Sequence, residues 1–160
     1  MKRTVLQLLQ AEGHLSVEQI AERLGIDKEQ AAAEVARLHD EKVILGYRAI
    51  VNPEKTGNDN VLAIIEVKVT PQRDVGFDAI ARRIYKFPEV RSCYLVSGTY
   101  DLLLMVEGDT LRQVASFVAE KLAVLDHVHS TITHFLLRKY KEGGVIIQEE
   151  DETERLMISP

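Results

Sequence analysis

The chain has 160 residues, 46% of them apolar, and a formal charge of −5, which suits one large or two small soluble domains and gives no overall positive field to hold nucleic acid. No apolar run reaches the roughly 20 residues of a membrane-spanning helix, and "MKRTVLQLLQAEGH" lacks the apolar centre and small-residue cleavage site of a signal peptide, so residence in the cytoplasm is the expectation. Cys93 is the single cysteine, which excludes an intramolecular disulfide; in a strand-like run it reads as a buried, inert thiol.

Three helices are predicted in the first fifty residues. The first runs from about Lys2 to Glu12 and is followed by Gly13. The second starts after Ser16, where "SVEQ" is a capping box, and carries Val17, Ile20, Ala21 and Leu24 at helical spacing up to Gly25. The third starts at Asp27, where "DKEQ" repeats that logic, and continues through Val35 and Leu38 to about Lys42. A pair of helices joined by a few residues around a glycine is the helix-turn-helix arrangement. Residues 1–50 nevertheless carry 7 basic and 8 acidic side chains, so DNA affinity has to come from a local patch and fall steeply with salt.

Gly46, Pro53 and Gly57 mark a linker over about 46–60 that contains one extended segment, "YRAIV". From Val61 the pattern is strand, helix, strand, strand, helix, strand: "VLAIIEVKV"; a helix capped by Asp74 with Phe77, Ile80, Ala81 and Ile84 on one stripe; "EVRSCYLVS" and "DLLLMVE" around a Gly-Thr-Tyr turn; a helix capped by Asp109 or Thr110 with Leu111, Val114, Ala115, Val118 and Leu122 inward; and "HVHSTITHFLL". This β-α-β-β-α-β order predicts an antiparallel sheet with both helices on one face. The fold class is therefore α+β, with a three-helix, winged-helix-like N-terminal domain (1–45), a hinge strand (46–60), a ferredoxin-like domain (61–140) and an acidic tail (141–160). Because Leu102 to Val106 are apolar at consecutive positions, the sheet face away from the helices needs a cover, and a second copy related by a two-fold axis is the simplest one.

These motifs carry a resemblance. A short helix-turn-helix, then "VILGYRAIVNPEKTG", then a ferredoxin-like unit containing "SGTYDLLL" and ending "HSTITHFLLRKYK" is similar to the leucine-responsive/asparagine-regulator (Lrp/AsnC) family, over about residues 2–140. The resemblance implies a transcription regulator that binds double-stranded operator DNA, forms homodimers and assembles further to tetramers or octamers, and senses an amino acid or related metabolite. By the same resemblance the effector lies where dimers meet, near Ser97, Gly98, Thr99, Tyr100 and Asp101, with Thr131 and Thr133 lining the pocket. No other cofactor is implied.

The residues themselves leave two readings of Gly98 to Asp101: a hairpin turn, or a nest of backbone N–H groups for a carboxylate with Asp101 facing the ammonium. The DNA-facing side of the third helix reads Lys28, Glu29, Ala32, Ala33, Glu34 and Arg37, where the family usually carries serine, threonine and arginine, and Lys42 stands where glycine is usual. Carboxylates are repelled by phosphates and alanines offer only apolar contact, which keeps open an alternative: a metabolite-sensing oligomer with weak or no DNA binding. His127, His129 and His134 do not converge in one chain, since the first two share one strand face and the third points to the other, so no metal site is expected. The basic groups Arg82, Arg83, Lys86 and Arg91 read as a solvated face. With no phosphate loop, no G-x-S-x-G and no H-E-x-x-H, the chain is not expected to be an enzyme.

Overall fold

The structure, a computed structural model, describes residues 4–57, 60–70 and 76–147, in two units, Met1–Val51 and Asn52–Pro160. In the first, α1 (Val5–Glu12), α2 (Val17–Leu24) and α3 (Lys28–Asp40) enclose a core of Val5, Leu8, Leu9, Ile20, Ala21, Ala31 and Leu38. Capping boxes open α1 and α2: Thr4 and Ser16 accept from the amides of Gln7 and Gln19, whose side chains reach back. The Thr4 box places the start of α1 at Val5; Lys2 and Arg3 lie outside the described residues. Asp27 is different from the expectation: its side chain makes no capping bond. Only its carbonyl acts, accepting from Ala31 N–H at 3.0 Å, because Asp27 has the extended backbone of an N-cap and any residue can supply that oxygen.

The ends of α2 and α3 are closed in the same way. Ile26 N–H returns to the Ala21 carbonyl at 3.1 Å, and Val43 N–H returns to Leu38 at 2.9 Å with Lys42 N–H to His39 at 2.9 Å, the six-to-one and five-to-two bonds of a Schellman motif. The left-handed position is Gly25 (φ +65°) in one and Lys42 (φ +56°) in the other. A lysine there brings Cβ against its own carbonyl, at about 1–2 kcal/mol.

The "YRAIV" segment forms no strand, and none forms among the described residues of this unit; a strand needs a hydrogen-bonded neighbour, and the segment has none among the described residues. Part of the expected linker is helical instead. Asn52 accepts from Glu54 N–H at 3.0 Å and caps α4 (Pro53–Thr56), with proline at the first helical position, where its missing N–H costs nothing.

In the second unit β1 (Val61–Val69), α5 (Asp78–Ile84), β2 (Val90–Leu95), β3 (Leu102–Gly108), α6 (Leu111–Ser116) and β4 (Val128–Phe135) build an antiparallel sheet in the order β2-β3-β1-β4. Ala63, Ile65 and Val67 of β1 and Leu102, Leu104 and Val106 of β3 are buried against Ile80, Ile84, Val114, Phe117 and Leu122, so both helices cover one face as expected. Asp74 lies outside the described residues. Thr110, not Asp109, caps α6, accepting from Gln113 N–H at 3.1 Å.

The inward stripe of the last helix departs from expectation. Val114, Phe117 and Leu122 are buried, whereas Leu111 and Ala115 are exposed. Residues Phe117–Leu122 are π-helical. After the buried Phe117 a regular helix next turns inward at 120 or 121, a glutamate or a lysine; the wider turn brings Leu122 inward, the position the stripe already names from Val118. A further difference is at the C-terminal end, where β5 (Lys141–Glu142) and β6 (Val145–Ile146) form a hairpin around Gly143 and Gly144, both at positive φ. Gly-Gly between short strands is a hairpin signal; "QEEDETER" lies outside the described residues.

Replacing Lys42 by glycine should remove the left-handed strain and stabilise the N-terminal unit by about 0.5–1 kcal/mol after glycine's extra chain entropy is subtracted. Urea denaturation should show a higher midpoint at unchanged slope; a lower midpoint contradicts the strain argument.

Candidate functional site

The solvent side of α3 is a shallow face. Burial of Ala31 and Leu38 leaves Lys28, Glu29, Ala32, Ala33 and Arg37 exposed, so these five, named from the sequence as DNA contacts, do share a face. Both cations on it are paired. Lys28 Nζ lies 2.5 Å from Glu18 of α2, and this bond holds the Glu18 carboxyl down to about 2 while raising the Lys28 ammonium. Arg37 donates from Nε and a terminal nitrogen to the two oxygens of Glu34 at 2.9 and 2.7 Å, and from its other terminal nitrogen to Glu41 at 2.6 Å. Sequence reading missed both pairings, although the i, i+3 and i, i+4 spacing of Glu34, Arg37 and Glu41 was the signal for one of them.

A second candidate lies at one end of the sheet. The loop from Ser97 to Asp101 joins β2 to β3 and is anchored by its last residue. Asp101 N–H donates to Val67 at 3.0 Å, and its carbonyl accepts from Val96 N–H at 2.9 Å. Its carboxylate accepts from Val69 N–H at 2.9 Å and from Lys68 Nζ at 3.2 Å. The Val69 amide is the main cause of its lowered pKa, with Lys68 adding to it. Lys68 is therefore a participant that the motif alone did not reveal. Gly98 sits at φ +154°, a backbone region close to exclusive to glycine. The N–H groups of Ser97, Gly98, Thr99 and Tyr100 donate to no acceptor among the described residues. In a largely exposed loop they are open to solvent or to an anion.

Thr131 and Thr133 are half-buried on β4 and pair with Val67 and Ile65. Val67 also accepts from Asp101, so Thr131 lies across β1 from the loop, about two strand spacings or roughly 10 Å away. Thr133 is one pleat further from that end. The structure thus brings the loop and Thr131 to one end of the sheet and sets Thr133 behind them.

The sheet face away from the helices carries Leu62 and Ile64 of β1, Leu103 and Met105 of β3, Tyr94 of β2 and Ile132 of β4, as the registers require. Tyr94 and Ile132 are more than half exposed within the single chain. Glu66 and His134 meet on this face at 3.2 Å, and Glu107 holds Asn60 at 2.6 Å and Arg91 at 2.5 Å. The strict alternation expected of His127 and His129 does not hold: His127 precedes β4 at φ +73°, and the register shift opposite Lys68 and Val69 leaves His129 without a cross-strand partner. Such a bulge adds one residue and breaks the period of two. Among the described residues no group of three His, Cys, Asp or Glu side chains is placed to hold a metal, and Cys93 is half-buried, with burial raising its thiol pKa. Of the basic group, Arg83 approaches Asp126 at 3.8 Å and Arg91 is held by Glu107, while Arg82 and Lys86 are exposed.

Comparison with known proteins agrees with this architecture. Residues 62–146 match the Lrp/AsnC ligand binding domain. The uncharacterised helix-turn-helix-type transcriptional regulator YugG of Bacillus subtilis is 43% identical over 157 residues, 98% of this chain and 95% of that protein. The proline dehydrogenase transcriptional activator of Rhizobium radiobacter is 33% identical over 88% of this chain and 90% of its own. Among solved structures, a transcriptional regulator from Neisseria meningitidis in complex with L-methionine superposes with a TM-score of 0.69 at 27% identity, covering 86% of this chain and 88% of that one; Escherichia coli AsnC, at 20% identity and a TM-score of 0.66 over 86% of this chain and 91% of its own, shares the fold. No described helix is long and apolar enough to cross a membrane. The chain belongs to the Lrp/AsnC family of helix-turn-helix transcriptional regulators, which bind DNA and are not enzymes.

Proposed function

We propose that this regulator docks α3 in the major groove of its operator, binds an α-amino acid at the Ser97–Asp101 loop, and couples the two through assembly. The observation that carries the effector site is the run of four amides at Ser97 to Tyr100 with no acceptor among the described residues, lying inside the segment that matches a ligand-binding domain. An effector carboxylate takes those N–H groups, and Thr131 lines the same end of the sheet with Thr133 behind it. L-Methionine bound to the Neisseria relative makes amino acids the first ligand class to try.

Asp101 has a different part from the one suggested by its sequence neighbours. Both carboxylate oxygens are already engaged, by Val69 N–H and Lys68. In this reading Asp101 holds the loop against β1, and an effector ammonium meets it only in competition with Lys68.

The open sheet face supports a two-fold homodimer, since Ile64, Leu103, Met105, Tyr94 and Ile132 form an apolar surface that a second copy covers. Further association to tetramers or octamers is where the effector acts. Ligand favours one assembly over another and so changes the spacing of paired recognition helices, about 34 Å apart on one DNA face; it can shift that equilibrium only as far as its affinities for the two assemblies differ. The intramolecular pairing of Lys28 and Arg37 favours a second reading, a metabolite-sensing oligomer that binds DNA weakly.

Titration of the protein against its own upstream region in gel shifts at two salt concentrations should show retention that weakens as salt rises. Failure to bind any duplex at low salt refutes the first reading and leaves the second. In thermal-shift screening of the common amino acids, one ligand at about 100 times its Kd should add about 2.7 kcal/mol of stability, seen as a melting rise of several degrees. Gly98→Ala should abolish that rise while the unliganded protein still melts cooperatively; an undiminished rise places the effector elsewhere.

Asp101→Asn should cost about 1 kcal/mol at pH 7, where the carboxylate is charged and doubly bonded. The native pKa is lowered, so this stabilisation is present above the ordinary carboxylate range and lost as pH falls through the native value. The gap between the two proteins should therefore close below about pH 4. Equal melting temperatures at pH 7 contradict the anchoring role.

A further inference from the structure

Lys28 and Arg37 are the cations that the exposed face of α3 offers to a phosphate, and neither is free. Around Arg37 the arrangement is complete: Glu34, Arg37 and Glu41 follow one ridge of the helix, and the guanidinium donates three hydrogen bonds of 2.6–2.9 Å to three carboxylate oxygens. All three side chains remain 38–52% exposed, so the cluster meets whatever approaches the helix.

We infer that Glu34 and Glu41 are specificity determinants of DNA binding, acting by masking Arg37 from phosphates. The inference rests on the reading that α3 enters the groove. Sequence-independent binding comes almost wholly from cation–phosphate contacts and the counterions they release. A random duplex can recruit Arg37 only by breaking its three bonds and bringing two carboxylates up to its own phosphates, an unfavourable juxtaposition. A duplex whose base edges fit Ala32, Ala33 and their neighbours has other contacts to offset that exchange. Masking therefore depresses binding to random DNA more than binding to the operator, and it does so on a face with little positive charge to spare. Glu18 acts on Lys28 in the same sense at the other end of α3.

The test is fluorescence anisotropy with the upstream duplex and a scrambled duplex of equal length and composition, across several salt concentrations. The double variant E34Q/E41Q should bind the scrambled duplex at least tenfold more tightly than the parent at low salt. Its plot of log affinity against log salt should steepen by about 0.9, the increment for one added phosphate contact, and the ratio of specific to random affinity should fall. Adding R37A to that variant should restore the parent slope. E22Q/E120Q, which makes the same charge change at exposed carboxylates away from the outer face of α3, should leave the slope alone. An affinity gain that survives R37A, or an equal gain in E22Q/E120Q, reduces the effect to net charge and overturns the inference; so does an unchanged selectivity ratio. Ala33→Glu separates this from the parent reading. If it abolishes binding to the upstream duplex while E34Q/E41Q changes nothing, masking fails alone; if it leaves binding intact, α3 does not face DNA and both fail.

Discussion

The pairing of β1 with β3 is the constraint on which the C-terminal unit depends. These two strands are the middle of the sheet, and their register sets Ala63, Ile65 and Val67 beside Val106, Leu104 and Leu102 on the helix-covered face. A slip of one residue would turn Leu62, Ile64, Leu103 and Met105 inward and send the present core outward. Such a slip would also draw Glu66 and Glu107 into the core, where an unpaired carboxylate is very costly. At the end of the same pair, Asp101 bonds Val67 and Val69 through its backbone and side chain, so the register that builds the core also places the loop from Ser97 to Asp101. Core and candidate effector site are in this sense one specification.

Much of this was legible in the sequence because it rests on local rules. The bounds of β1 follow from an uninterrupted β-rich run, the start of α2 from Ser three residues before Gln, and the end of α2 from a glycine, whereas the Thr4 box that opens α1 at Val5 has the same spacing and goes unused in a reading that begins the helix at Lys2. The exposed face of α3 follows from the burial of Ala31 and Leu38 two helical turns apart. What could not be read depends on distance or on irregularity. That Asp101 is taken by Lys68 and Val69 requires knowing that residues 32 and 33 positions apart are neighbours. Asp27 has the residue type of a cap without its side-chain bond. The stripe counted at regular period takes in Leu111 and Ala115, which are exposed, and passes over Phe117, which is buried. Family resemblance groups Thr131 and Thr133 with the loop; the register sets only the first opposite the strand position that the loop bonds.

Electrostatics in the helical unit run against the expectation that a DNA-binding surface shows bare positive charge. Its ion pairs, Arg23 with Glu12, Lys28 with Glu18, and Arg37 with Glu34 and Glu41, all lie at the surface. Exposed pairs of this kind add little to stability, so their consequence is better sought in binding: each carboxylate that neutralises a lysine or arginine also removes a contribution to long-range attraction. A regulator with a small non-specific component spends less time on the rest of the genome, at the expense of a slower search.

The widened turn between α6 and β4 also bears on how this chain is compared with others. From Phe117 to Leu122 the helix advances by one residue more per turn than its neighbours do, which amounts to a single-residue insertion absorbed without breaking the helix. Against a homologue whose helix is regular throughout, a residue-by-residue match that is correct at Val114 is therefore out of step by Leu122, and a gap belongs inside the helix, where alignment procedures are least willing to put one.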